Sequence, residues 1–330
     1  MADDVVLALS GLSVAFGTGP RAVRAVDHVD LEVRRGEIIG LVGESGSGKT
    51  TLGLALLGIL PATAHVSGHA RLGDVDLAAL SGDAWQAVRW TQVAMVFQKS
   101  LSALSPVHRV GDQMGDVLRV HRRDMTPQER RDEVQRLLRL VGLQEGVWSA
   151  YPHELSGGMM QRVSIALSLI HSPRLLVLDE ATTALDVITQ AQILAEIKRL
   201  QRELHLTAIL ITHDLAVVAS VADRVAVMYA GRLCEVGPVT QTVRTPHHPY
   251  TSALRGAIPR LDTARGTLRG IPGSLPDLTD PPSGCVFADR CPQAQDRCRR
   301  ERPPLVPVAG DRLAACHYPL HAGDLEVHPA

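Results

Sequence analysis

Lysine is nearly missing from this chain of 330 residues: Lys49, Lys99 and Lys198 are the three that occur, and arginine supplies the rest of the 34 basic side chains. A lysine at a special spacing is therefore informative. Neither sign of charge is in excess, the formal net charge being −1, which excludes the basic footprint of a nucleic-acid binder. No run of 18 or more apolar residues occurs, so no transmembrane helix is expected. The first residues, "MADDVVLALSGLS", lack a basic start followed by a long apolar stretch and do not read as a secretory leader. No internal repeat is visible, so one copy of a core unit is expected. These absences point to the cytosol. In that reducing compartment, clustered cysteines favour a metal over disulfides.

What is present fits an ordinary folded protein, with 45% hydrophobic and 21% charged residues. The length exceeds one typical domain. Short apolar runs "EIIGLV" (37–42), "LLVL" (175–178) and "AILIT" (208–212) read as buried strands. "TTLGLALLGIL" (50–60) and the stretch 188–204 read as helices. "TPQE" (126–129) reads as a helix start, with Thr126 as cap, Pro127 in the first turn and Glu129 reaching back. Behind it Val134, Leu137, Leu138 and Val141 form one apolar face. Strands alternating with helices argue for an α/β fold with a largely parallel sheet, interrupted by a mainly helical stretch at about 100–165. From about 256, prolines and glycines crowd in and periodicity fades, which puts a boundary near 255.

Residues 43–50, "GESGSGKT", fit G-x-x-x-x-G-K-[ST] between a strand and a helix. Gly43, Gly46 and Gly48 let the backbone curl, so that N–H groups, including those of Ser45 and Ser47, face phosphate oxygens. The helix N-terminus through Thr51 adds positive potential. Lys49 would reach the β- and γ-phosphates and the Thr50 hydroxyl would bind Mg²⁺. The bland alternative, a glycine-rich turn with a stray lysine, fits poorly in a chain so short of lysine. No [NT]-K-x-D motif is present, which argues against a GTPase. "LLVLDE" places Asp179 and Glu180 at a strand end, suited to a Mg²⁺ shell and to polarising an attacking water. "LSGGMMQR" places Ser156, Gly157 and Gly158 before a helical run, a second anion-binding helix start that alone would be an ordinary serine cap. Gln98 follows an apolar run, Asp186 lies six residues after Glu180, and His213 directly follows the run "AILIT".

In that order the motifs resemble the nucleotide-binding subunit of ABC transporters, over about residues 5–255. The resemblance implies an ATP-hydrolysing P-loop NTPase cassette: a RecA-like core with a helical subdomain. It also implies a head-to-tail dimer that sandwiches two ATP molecules between the 43–51 loop of one subunit and the signature helix of the other. By resemblance Glu180, His213 and Gln98 are catalytic, and Thr50, Gln98 and Asp179 hold Mg²⁺. Ser156, Gly157, Gly158, Gln161 and Asp186 face the partner's ATP, and Phe16 stacks on adenine. Burial in the core would use the same Phe16 ring. One chain carries one copy of each half-site, so a second ABC ATPase subunit is required and a heterodimer is expected.

"VFQKSLSALSPVHRVGDQ" (96–113), "PHHPYTSAL" (246–254) and "IPGSLPDLTDPPSGCVFADRC" resemble the oligopeptide, dipeptide and nickel importer branch. Lys99, Ser105 and Ala181 depart from its usual residues without removing a catalytic group. On physical grounds alone the histidine pair also fits a plain solvated loop. The branch implies peptide import, two transmembrane permease subunits, an extracellular solute-binding protein, and a peripheral place on the cytoplasmic face of the membrane. A nickel importer of the same branch, a soluble ABC ATPase of translation or repair, and a regulatory iron–sulfur protein are the alternatives. The chain has neither the second cassette nor the coiled-coil insertion usual in soluble ABC ATPases, and Glu180 and His213 are intact.

Cys285, Cys291, Cys298 and Cys316, four of the five cysteines, have the spacing C-x5-C-x6-C-x17-C. That is looser than usual structural zinc pairs. Zinc, a [4Fe–4S] cluster and unligated thiols all remain open on spacing alone. The branch resemblance, whose extension holds a [4Fe–4S] cluster in some members, favours the cluster as a staple for a small Cys-rich C-terminal domain at 256–330. Cys234 reads as a packed thiol.

Overall fold

The computed structural model describes residues 4–97, 104–183, 185–257 and 270–321. In chain order its first elements are β1 (Val5–Phe16), β2 (Val23–Arg34), β3 (Ile38–Val42), α1 (Lys49–Leu57), β4 (Ala64–Leu72) and β5 (Val75–Asp76). Next come α2 (Ala84–Val88), β6 (Val93–Val96), α3 (Val110–His121), α4 (Pro127–Leu140), α5 (Gly157–Ser168), β7 (Leu175–Asp179), α6 (Val187–Leu204) and β8 (Ala208–Thr212). The last are α7 (Leu215–Val221), β9 (Arg224–Tyr229), β10 (Arg232–Pro238), α8 (Val239–Arg244), α9 (Pro249–Gly256), α10 (Asp296–Arg300), β11 (Val306–Ala309) and β12 (Arg312–Ala314). The chain forms two compact units, one made of Met1–Leu80 with Leu210–Ala330 and the other of Ser81–Ile209.

In the first unit β2-β1-β4-β5 make an antiparallel sheet. The second half of β2 alternates as a half-buried strand should: Val29, Leu31 and Val33 are buried while Asp30, Glu32 and Arg34 are exposed. A second run of strands has the order β11-β12-β10-β9-β3. All five residues of β3 are buried, and it pairs in parallel with β9, as expected for a strand covered on both faces. β10 runs antiparallel to β9, and β12 adds to β10 through Glu235↔Ala314 and Val236↔Leu313. Helix α1 stops at Gly58, whose φ of 61° is the left-handed conformation of a helix C-cap, its N–H returning to Ala55 and Leu54 carbonyls.

The C-terminal segment lacks periodicity because it shares a core instead of building one. Phe287 is 1% exposed and packs edge-on against Tyr229 and tilted against Tyr250, with ring centroids 5.2 and 5.3 Å apart. In a chain with three phenylalanines and four tyrosines, these three rings gather at one place. The solvated-loop reading of "HHPYT" is overturned: His248, Tyr250 and Thr251 are all at most 2% exposed. The N–H groups of His247 and His248 both donate to the fully buried Glu235 carboxylate, each at 2.9 Å, and Arg312 closes the other side at 3.2 Å. Burial pushes the His248 imidazole down to about 4. Its neutral Nδ1 accepts from the Tyr250 N–H at 3.0 Å and starts α9.

In the second unit the expected start of α4 is present as a capping box. Thr126 accepts from the Glu129 N–H at 3.3 Å and Glu129 accepts from the Thr126 N–H at 2.7 Å. Val134, Leu137, Leu138 and Val141 are all at most 1% exposed. Trp148 packs so closely on α3 that a Cβ at Gly111 would lie 2.2 Å from the indole. Strands β6 and β7 pair in parallel, from Val93↔Leu175 to Val96↔Leu178. The chain returns to the first unit within β8, between Ile209 and Leu210.

Candidate functional site

The first unit carries the phosphate loop. β3 delivers the chain into Gly43, and α1 takes it up at Lys49. Gly48 stands at φ 99°, and a Cβ there would lie 2.0 Å from the Ala25 carbonyl, so only glycine fits this corner. The curl is held from inside. Lys49 Nζ, 5% exposed with its residue, donates to the Gly43 carbonyl at 2.7 Å, the Glu44 carbonyl at 2.8 Å and Ser47 Oγ at 3.2 Å. Ser47 is fully buried and its carbonyl accepts from the Gly231 N–H at 2.9 Å. Ser45, Gly46 and Thr50 are exposed and Thr51 is half-buried. A glycine-turned loop, its lysine and the start of α1 thus stand together, the residue types of a phosphate cradle. Phe16 ends β1, half-buried, opposite Val23 and Ala64. His213 is exposed just past β8, ahead of Asp214, which caps α7 by accepting from the Ala216 N–H at 2.7 Å.

The second unit carries the acids and the signature helix. Asp179 ends β7 and is 2% exposed. Glu180 follows at φ 46°, a left-handed conformation costly for a residue with a Cβ, and its carboxylate accepts from Thr183 Oγ1 at 3.3 Å. Ser156 caps α5, accepting from the Met159 N–H at 3.3 Å. Asp186 caps α6, accepting from Thr189 N–H at 2.9 Å and Thr189 Oγ1 at 2.7 Å, and these bonds hold its carboxyl below the usual range. The two caps are neighbours: Ser156, Gly157, Gly158, Asp186 and Thr189 line one open cleft of about 380 Å³. Gly158 allows the approach, since a Cβ there would meet Thr189 Cγ2 at 2.7 Å. Gln161 is 4% exposed and does not line this cleft. Gln98 and Lys99 lie outside the described residues. The capping role of Asp186 is what sequence reading missed; the signal was Thr189 three residues on.

Cys285, Cys291, Cys298 and Cys316 line a single small cavity with Phe287, His248 and Tyr318. Burial raises the Cys285 and Cys291 thiols and pushes Cys316 up to about 12. Cys285 and Cys298 are also joined through the backbone, Cys285 N–H to the Cys298 carbonyl at 2.7 Å. Among the described residues, no group of three or more His, Cys, Asp or Glu side chains stands in a geometry that could hold a metal ion. The four cysteines share a cavity, but their arrangement does not support the sequence expectation of a [4Fe–4S] cluster.

Comparison with known proteins gives this geometry a class. Residues 26–183 match the ABC transporter family, and residues 234–298 match the oligopeptide/dipeptide transporter C-terminal region. A dimeric ATP-binding cassette, MJ0796, in a post-hydrolysis state with ADP and Pi superimposes with a TM-score of 0.63 at 26% identity, over 71% of this chain and 98% of that one. A putative peptide import ATP-binding protein of Brucella ovis is 44% identical over 334 residues, 96% of this chain and 98% of its own. The chain belongs to the ABC transporter family, as an ATP-hydrolysing cassette of the α/β P-loop NTPase fold. Within that family its C-terminal match places it in the oligopeptide/dipeptide branch. The oligopeptide transport ATP-binding protein OppD of Escherichia coli K12 is 42% identical over 319 residues, 96% of this chain and 94% of that one. The dipeptide transport ATP-binding protein DppD of Haemophilus influenzae is 41% identical over the same length, 96% of each chain.

Proposed function

We propose that this chain is the ATPase subunit that powers peptide import through an ABC transporter. The observation that carries the reading is the phosphate loop gripped by Lys49, in a chain over 40% identical to peptide-import ATPases along almost its full length. In this reading residues 43–51 cradle the triphosphate, with Lys49 neutralising it and Phe16 stacking on adenine. Thr50, Gln98 and Asp179 would hold Mg²⁺, which offsets phosphate charge when bound. Glu180 orients and polarises the water, and its strained backbone fits a carboxylate fixed for one task. His213 holds Glu180 and water in line with the γ-phosphate. Ser156, Gly157, Gly158, Gln161 and Asp186 meet the ATP of a second ATPase subunit in a heterodimer. The cassette spans 1–255, with its helical subdomain at about 100–165.

Two permease subunits and an extracellular solute-binding protein complete the transporter, and the chain sits peripherally at the cytoplasmic face. No described helix is long and apolar enough to cross a membrane. Val107, 73% exposed within the run that resembles the branch, suits docking on a permease. The test is reconstitution with the cognate permease and partner ATPase. Peptide with binding protein stimulates hydrolysis, and Glu180→Gln in both sites traps ATP and lowers turnover by about 10²-fold or more. Steady hydrolysis by that variant would sink the role of Glu180, and stimulation by nickel but not peptide would reassign the cargo.

The segment 256–330 is proposed as a C-terminal extension of the first unit that Cys285, Cys291, Cys298 and Cys316 staple around a [4Fe–4S] cluster. Four soft thiol donors lining one cavity support it. Bound there, the cluster would supply folding energy and no ATP chemistry. Protein purified without oxygen should be brown, with about four irons per chain. A colourless preparation holding one zinc would overturn the cluster.

A further inference from the structure

The C-terminal segment reaches the phosphate loop of its own unit. Arg290, adjacent in sequence to Cys291, has a side chain 6% exposed; its Nη1 donates to Glu44 Oε2 at 2.9 Å and to the Tyr229 hydroxyl at 3.1 Å. Its remaining donors are anchored in the same segment, Nη2 to the Ile271 carbonyl at 3.0 Å and Nε to the Pro272 carbonyl at 2.8 Å. Glu44 is the second residue of the loop. Its N–H donates to the Tyr250 hydroxyl at 2.9 Å. Its carbonyl accepts from Lys49 Nζ at 2.8 Å and from the Ser47 N–H at 3.2 Å. Leu275 Cδ1 lies 3.2 Å from where a Cβ on Gly46 would sit. The residue that Arg290 grips therefore supplies two of the backbone bonds that shape the cradle.

The charge balance is specific. Glu44 puts a carboxylate on a loop built to receive a polyanion, a repulsion that grows where water is thin. Glu44 Oε1 is buried without a hydrogen-bond partner, so Arg290 is what compensates this group. Removing the guanidinium would leave an uncompensated carboxylate beside the phosphates. We infer that Arg290 is a positioning residue for nucleotide: it holds and neutralises Glu44, and so links nucleotide affinity to the packing of the cysteine-bearing segment. Linkage of this kind is reciprocal, so bound nucleotide tightens that segment in return.

The inference rests on the ATP reading above, and the test separates the two. Trinitrophenyl-ATP is titrated into the full-length chain, with thermal melting recorded for each variant. Arg290→Ala weakens binding about ten-fold, and adding Glu44→Gln restores it to within about three-fold of wild type. A merely structural loss would not be rescued by deleting a second polar group. Arg290→Lys keeps the charge without the fork and weakens binding about three-fold, which serves should the alanine variant not fold. In hydrogen exchange, nucleotide protects residues 284–298 in the wild type and not in Arg290→Ala. Binding within two-fold of wild type in folded Arg290→Ala and Arg290→Lys, or no recovery in the double variant, overturns the clamp alone. A wild-type chain that bound no nucleotide would overturn the ATP reading and the clamp with it.

Discussion

His171 stands in the turn just past α5 with its ring 4.9 Å from that of His121, edge to face, and its Nε2 is buried without a partner. Burial lowers its pKa, and the neighbouring His121 and Arg122 lower it further. The unfolded chain then takes up a proton at a pH where the folded chain does not. Stability is therefore full above the ordinary histidine value of 6.5 and falls as pH drops below it. Urea midpoints measured at pH 7, 6 and 5 should fall in the wild type and fall less in His171→Phe, which keeps an aromatic against His121. Equal slopes would remove His171 as the cause. Glu180 shows another single-residue effect: its left-handed φ of 46° comes from the turn after β7, and no residue type in "LLVLDE" announces it.

At the scale of elements, legibility tracked how much of a segment's packing is local. The capped start of α4, the buried runs of β3, β7 and β8, and the apolar face at 134–141 were all readable, because cap chemistry and burial are written within a few residues. The antiparallel sheet was not. β1 shifts register between Leu9 and Leu12 and again near Val14, which breaks the period of two. β4, "AHVSGHARL", is mostly exposed and carries Gly68 in its middle. β11 and β12 are short; β11 pairs with β12, and β12 joins β10 through residues nearly eighty positions earlier, Glu235 with Ala314. The order of the phosphate, signature and acid motifs was plain in the chain, whereas the grip of Arg290 on Glu44 joins residues 246 positions apart and leaves no local trace.

For the molecule as a whole, the proposed second ATPase subunit has a surface to meet. Val187 and Ile188, directly after Asp186 and beside the signature cleft, are 81% and 73% exposed. Two large apolar side chains side by side on a helix start are costly in water and useful at a seam. Val187→Ser with Ile188→Ser should leave the chain's own stability within about 0.5 kcal/mol, as exposed substitutions do. ATP-driven assembly with the partner ATPase, in a background carrying Glu180→Gln, should weaken about ten-fold by sedimentation, since burying such groups contributes on the order of 1–2 kcal/mol. Unchanged assembly would move the seam elsewhere.

The first unit is assembled from two stretches of the chain, Met1–Leu80 and Leu210–Ala330, and the second from the continuous stretch between them in sequence. During synthesis the second unit can close on itself as soon as it emerges. The phosphate loop and its antiparallel sheet emerge first, yet their unit is complete only once β12 is made. At about 5–20 residues per second that wait is on the order of ten to fifty seconds. Until β9 is made, β3 lacks the strand it pairs with, so the newborn stretch Met1–Leu80, about a quarter of the chain, keeps an open strand edge that a chaperone would shield.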